Sequence, residues 1–239
     1  MRTLGVDLAS QAEKTTTCVI AWADDHAVVT HLGLNASDVQ ILQLAHECDV
    51  VGIDAPFGWP KPFVELVTQS YPAADWSPMR RDELCFRTTD HRVTEILGRW
   101  PLSVSGDKLG MVAMRCSGLL QKLSVDDRSG VGPVFEVYPS VALASWGLQS
   151  RGYKGKSLAS LAPLVDEFLA LARLGLSVQD RRLCESVDHV FDALVSSIIA
   201  RVAALGHTIA PSSTEARIAF TEGWIAVPLP GSLSLLIPS

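Results

Sequence analysis

The chain lacks the signatures of several common enzyme classes. GxSxG, GxxxxGK[ST] and GxGxxG are all absent from its 239 residues. A nucleophile elbow, a Walker phosphate loop and a dinucleotide-binding turn therefore lose their usual support. Cysteine is scarce and unpaired in pattern: five residues, an odd number, with no CxxC. That excludes a disulfide framework and reads as reduced, buried thiols in a reducing compartment. A zinc knuckle built on Cys85 and His91 would need two further ligands that the sequence does not supply. Basic charge is in deficit, 20 Lys+Arg against 26 Asp+Glu for a net −6, which excludes a strongly basic coat for non-specific nucleic-acid binding. A long apolar run is missing too. The greasiest stretch, Ala193 to Leu205, is interrupted by Ser196, Ser197 and Arg201 and falls short of the ~20 residues that span a bilayer. An acid at Asp7 precedes any signal-peptide apolar core. The expectation is a soluble, cytoplasmic protein.

What is present is a composition of 48% hydrophobic residues with 17 Gly and 13 Pro, that of a compact globular chain. Its length fits one domain or two small ones, with one favoured. The charge is uneven: residues 76 to 130 are locally basic and rich in arginine while the remainder is acidic. A mildly basic arm on an acidic body suits an anionic ligand.

Residues 3 to 9 alternate apolar and polar side chains, and TTTCVIAW at 15 to 22 is β-branched and aromatic; both read as strands. Ala23 to His26 reads as a turn and Ala27 to Leu34 as the returning strand. Together they predict an antiparallel meander of three strands. Ser37 then reads as the N-cap of an amphipathic helix. DVVGIDAP reads as a buried strand ending near Asp54, parallel to the first. The proline-rich residues 55 to 132 read as an insertion, with short helices around 61 to 69 and 82 to 98. PVFEVYPS predicts another buried strand stopped by Pro139. Helices are expected at 161 to 174, through Leu161, Leu164, Phe168 and Leu171, and at 187 to 204, through Val187, Phe191, Leu194, Ile198 and Val202.

If the first and fourth strands are adjacent and parallel, Asp7 and Asp54 emerge at one sheet edge, where α/β sites lie. Asp188 and Asp192 are one helical turn apart and share a face. Acids embedded among apolar residues need compensation, and such a cluster suits Mg2+ or Mn2+, which prefer carboxylate oxygens. Two such ions about 4 Å apart can drive phosphodiester hydrolysis. A plainer reading leaves Asp188 as a helix-start acid with Ser186 as cap. Glu136 has three readings: a ligand, a group behind the ligands, or the partner of an arginine from the insertion. FRTTDHR reads either as a phosphate clamp through Arg87, Thr88 and Arg92 or as a helix start capped by Thr88 or Thr89.

GVDLA, VGIDAP, FRTTDHR, VFEVYPS and DHVFDALVSSIIAR, in this order from about residue 3 to 228, resemble the domain of unknown function 429 family, described as predicted RNase-H-like nucleases. The resemblance implies an RNase H-like fold, a five-stranded mixed sheet flanked by helices, and a RuvC-type acid cluster. Position by position, Asp7 matches the first-strand acid, Asp54 the fourth-strand acid, and Asp188 or Asp192 the last-helix acid. A first-helix glutamate is missing; Glu47 substitutes poorly and Glu136 is the other candidate. The leading expectation is a metal-dependent nuclease acting on DNA or RNA. In it Asp7 bridges two ions, Asp54 and Asp192 complete them, and Arg87 or Arg92 steadies a phosphate. The alternatives are a nucleotide-binding protein of the sugar-kinase and actin type, or a non-catalytic module that holds a structural ion.

Overall fold

A computed structural model describes residues 1–69, 77–155 and 161–237. Its centre is a five-stranded mixed sheet in the order β3-β2-β1-β4-β5. The strands are β1 (Arg2–Asp7), β2 (Thr16–Trp22), β3 (Ala27–Gly33), β4 (Val50–Asp54) and β5 (Val134–Glu136). The first three pair antiparallel as the expected meander, and β4 and β5 extend the sheet parallel to β1. Around it lie α1 (Asp38–His46), α2 (Lys61–Thr68), α3 (Arg81–Cys85), α4 (Thr88–Leu97), α5 (Gly110–Lys122), α6 (Pro139–Ser145), α7 (Leu161–Ala172), α8 (Val178–Ser186), α9 (Asp188–Ala204) and α10 (Ser213–Glu222). No helix among the described residues is long and apolar enough to cross a membrane.

β1 stops at Asp7, two residues before the alternation ends. Beyond it the backbone leaves the ladder, because Ala9 N–H donates to Thr15 Oγ1 and Ala9 O accepts from Arg115. Ser37 caps α1 as expected, in a reciprocal box with Gln40. The single helix expected at 82 to 98 is two, α3 and α4. Arg87 is extended at the break, and its N–H is satisfied by the Asp90 carboxylate rather than by a threonine cap. Pro139 ends β5's run as expected and opens α6, where its missing N–H costs nothing.

Two glycines set how closely the main helix approaches the sheet. α9 crosses β1 and β4, and a Cβ on Gly5 would overlap Ala193 O and Ser197 N of that helix. One on Gly52 would overlap Ser196 O. Small residues face small residues, so backbone packs on backbone. Thr3 and Ser197 hydroxyls, 2.8 Å apart, hold the register, and Thr16 Oγ1 donates to His189 O at 2.6 Å. Residues on all sides of α9 are buried, not only the predicted stripe, because α7 and α8 cover its other face in the same core. In α7, Leu161, Leu164 and Phe168 are buried as expected but Leu171 is exposed; Val165, Leu169 and Ala172 complete the packed face. The insertion contributes to the packing of the sheet: Cys116, Leu119 and Leu120 of α5 join Leu4, Val6 and Ile53 in a second core on the opposite side of the sheet.

Candidate metal centre

Asp7 and Asp54 are register partners at the carboxyl ends of the parallel β1 and β4. The helix held against those strands by Gly5 and Gly52 carries Asp192 in its second turn. One carboxylate oxygen from each of Asp7, Asp54 and Asp192 lies within 4.8 Å of the others. Asp192 is fully buried, Asp7 nearly so and Asp54 partly. Burial pushes the Asp192 carboxyl up to about 6, although Lys154 counteracts this. Burial likewise lifts Asp54 well above the usual carboxylate range; Lys154 opposes the rise and the charges of Asp7 and Asp192 add to it. A family model described as "Protein of unknown function (DUF429)" matches residues 5–216. The chain belongs to that family. No curated protein and no solved structure gives a significant match.

The donor set of this DUF429 chain fits a hard divalent cation: carboxylate oxygens only, partly desolvated, with more negative charge than the neighbouring protein neutralises. Three residues that the sequence pattern did not single out complete the surroundings. His189 Nδ1 is 2.9 Å from Asp7 Oδ2, and that hydrogen bond is the main cause raising its pKa. Tyr153 Oη donates to Asp192 Oδ1 at 2.9 Å. Lys154 Nζ lies 2.5 Å from Asp192 Oδ2, as an ion pair. Desolvation works to lower the Lys154 pKa, but Asp192 and Asp54 more than reverse it. His189 was legible within DHVFDALVSSIIAR, next to Asp188. Tyr153 and Lys154 carry no local signal; they come from a loop after α6.

The other expected residues do not join the cluster. Asp188, first residue of α9, accepts from Gly155 N–H at 2.7 Å and from His189 N–H, so it fixes a loop at the helix start. Ser186 does not cap α9; its hydroxyl turns back to Arg182 O. Glu136 is buried and serves as the partner of an arginine. Its Oε2 accepts from Arg87 Nη1 at 2.9 Å and from Phe57 N–H at 3.0 Å. The phosphate clamp expected of Arg87, Thr88 and Arg92 is corrected by the geometry. Arg87 is 3% exposed, and every guanidinium N–H is spent on Asp90, Glu136 or Glu222 O. Thr88 turns its backbone N–H to Glu222 Oε2 at 2.9 Å. Arg92 pairs with Glu95 and Glu215 on a surface away from the carboxylates. Together with Glu222, which also accepts from Lys61 N–H at 2.7 Å, Arg87 ties the insertion to β5 and to α10. This is a buried ionic tie, and Arg87, Asp90 and Glu136 stand at the wall of the same cavity that Asp7 and Asp54 line.

Asp7 and Asp54 line a cavity of about 720 Å3, with Asp192 buried behind them. Its remaining wall includes Trp100, Leu102 and Tyr138 as well as the cationic Arg99 and Arg151. Trp100 is stacked on Phe86, with ring centroids 4.1 Å apart. Arg151 is held in place by donating to Leu97 O at 2.6 Å.

Proposed function

We propose that this protein is a metal-dependent phosphodiester hydrolase of RNase H-like type, acting on a nucleic acid through Asp7, Asp54 and Asp192. The observation that carries the reading is the meeting of these three acids, from two parallel strands and one helix, beside a cavity that Asp7 and Asp54 line. The sheet order and the acid positions agree with the RNase H-like pattern that the motifs resemble. Asp7, Asp54 and Asp192 would hold Mg2+ or Mn2+. The bound cation would supply activation of a water and stabilisation of charge on the phosphate.

The chain's own residues divide the remaining work. His189 orients Asp7 through Nδ1. Tyr153 and Lys154 fix both oxygens of Asp192. Trp100, at the cavity wall, offers a surface on which a base can stack. Arg99 and Arg151 replace Arg87 and Arg92 as the candidates for holding phosphate. A cavity of this size, on a chain with net charge −6, favours a single-stranded end or a short oligonucleotide over a long duplex.

The test is hydrolysis of labelled single- and double-stranded DNA and RNA with Mg2+ or Mn2+. Asp7→Asn should abolish metal-dependent cleavage while leaving the circular dichroism spectrum unchanged. Undiminished cleavage by that variant would sink the proposal. The reading as a non-catalytic module is favoured by one observation, the Lys154–Asp192 pair that already compensates part of the cluster. Ligand binding with no turnover across the same panel would select it.

A further inference from the structure

Lys154 does more at this site than a metal-binding acid cluster requires. Its stem is half-exposed, yet its ammonium lies against a carboxylate that has no solvent exposure. The loop that delivers it is fixed on both sides. The preceding Tyr153 is buried, with its ring edge-on to Phe191 at 6.1 Å, and the following Gly155 N–H is tied to Asp188.

That placement sets protein partners on three of the carboxylate oxygens that a pair of metal ions would share, leaving fewer lone pairs for them. His189 takes Asp7 Oδ2, Tyr153 takes Asp192 Oδ1 and Lys154 takes Asp192 Oδ2. Each Mg2+ or Mn2+ wants about six ligands, and Glu136 and Asp188, the other expected acids, are engaged elsewhere. One divalent ion and one ammonium balance the three carboxylates; two ions beside the same ammonium would leave excess positive charge in a poorly solvated site.

We propose that Lys154 is a built-in second cation: the centre takes a single divalent ion, on the Asp7 and Asp54 side, and the Lys154 ammonium stands at Asp192 where a second ion would sit. The inference rests on the metal reading above and deepens it. Lys154 is a positioning residue in this scheme, setting how many ions bind and how tightly.

The experiment is Mn2+ titration of the full chain, followed by the electron paramagnetic resonance of free Mn2+ and by calorimetry, which requires no substrate. The wild type should bind one ion per chain. Lys154→Met should bind a second ion, or bind the first about tenfold more tightly. Lys154→Arg, which keeps the charge, should retain one ion. Two ions in the wild type, or Lys154→Met titrating as the wild type does, overturns the inference alone, provided that Asp7→Asn loses the ion. No Mn2+ bound by the wild type overturns the metal reading and this inference with it.

Discussion

His189 Nδ1 stands 2.9 Å from Asp7 Oδ2, joining the first turn of α9 to the end of β1. With the carboxylate ionised, the imidazole donates and fixes its orientation. A residue behind a ligand in this way typically contributes about 10–100-fold in metal affinity or activity. His189→Ala should lose that much Mn2+ affinity by calorimetry. The fold should survive, since half of the side chain is exposed. His189→Gln, which can still donate, should recover part of the loss.

The pH dependence follows from the buried acids. Asp192 and Asp54 hold their protons more tightly folded than unfolded, so folding takes up protons. The stability these two carboxyls contribute to the metal-free protein should therefore be fully present below the unfolded carboxylate value of about 4 and be lost as the pH rises through about 6, the folded value for Asp192. A bound cation needs those carboxylates ionised. Addition of Mn2+ should raise the melting temperature more at pH 8 than at pH 5, by differential scanning fluorimetry. Equal shifts at both values would contradict a carboxylate-held ion.

Gly5 is the position at which helix and sheet backbones meet. Gly5→Ala has no flexible neighbour to displace, because Ala193 O and Ser197 N are main-chain atoms. Overpacking of this kind costs about 1–3 kcal/mol or more, read as a lower urea midpoint. Mn2+ binding should weaken alongside, since the same displacement carries Asp192 away from Asp7 and Asp54.

Arg87 separates a clamp from an internal tie. Removing one partner of a buried ion pair costs about 3–5 kcal/mol by stranding the other charges, here Asp90 and Glu136. Arg87→Met should lower stability by that order in chemical denaturation and leave the KM of any folded fraction unchanged. Arg151→Met, at the cavity wall and exposed, should do the reverse: raise KM with little effect on stability.

Much of the architecture was legible along the chain. Alternation predicted β1, β-branched and aromatic content β2, the turn at Ala23 to His26 the returning β3, the apolar run before Pro56 β4, and the 187 to 204 periodicity α9, because each of these signals is local. The acids Asp7 and Asp54 were legible for the same reason, as charges set inside apolar strands. The break between α3 and α4 was not, since it depends on Asp90 reaching back to Arg87. The helices α8 and α10 were not expected from the sequence; the structure caps them with Ser177 and Ser212, each of whose hydroxyls accepts an N–H three residues on.

The sequence by itself determined the five strands and the helices α1, α7 and α9, and that acids are set among their apolar residues. Only the tertiary structure decided which acids meet. Asp188 and Asp192 lie on one helical face by spacing, yet only Asp192 reaches the strands, because Gly5 and Gly52 let α9 settle closest to the sheet along Ala193, Ser196 and Ser197. It also decided that Glu136 belongs to Arg87 and that Lys154 belongs to Asp192. Charges distant in sequence choose partners by where packing leaves them desolvated together, and no local pattern encodes that choice.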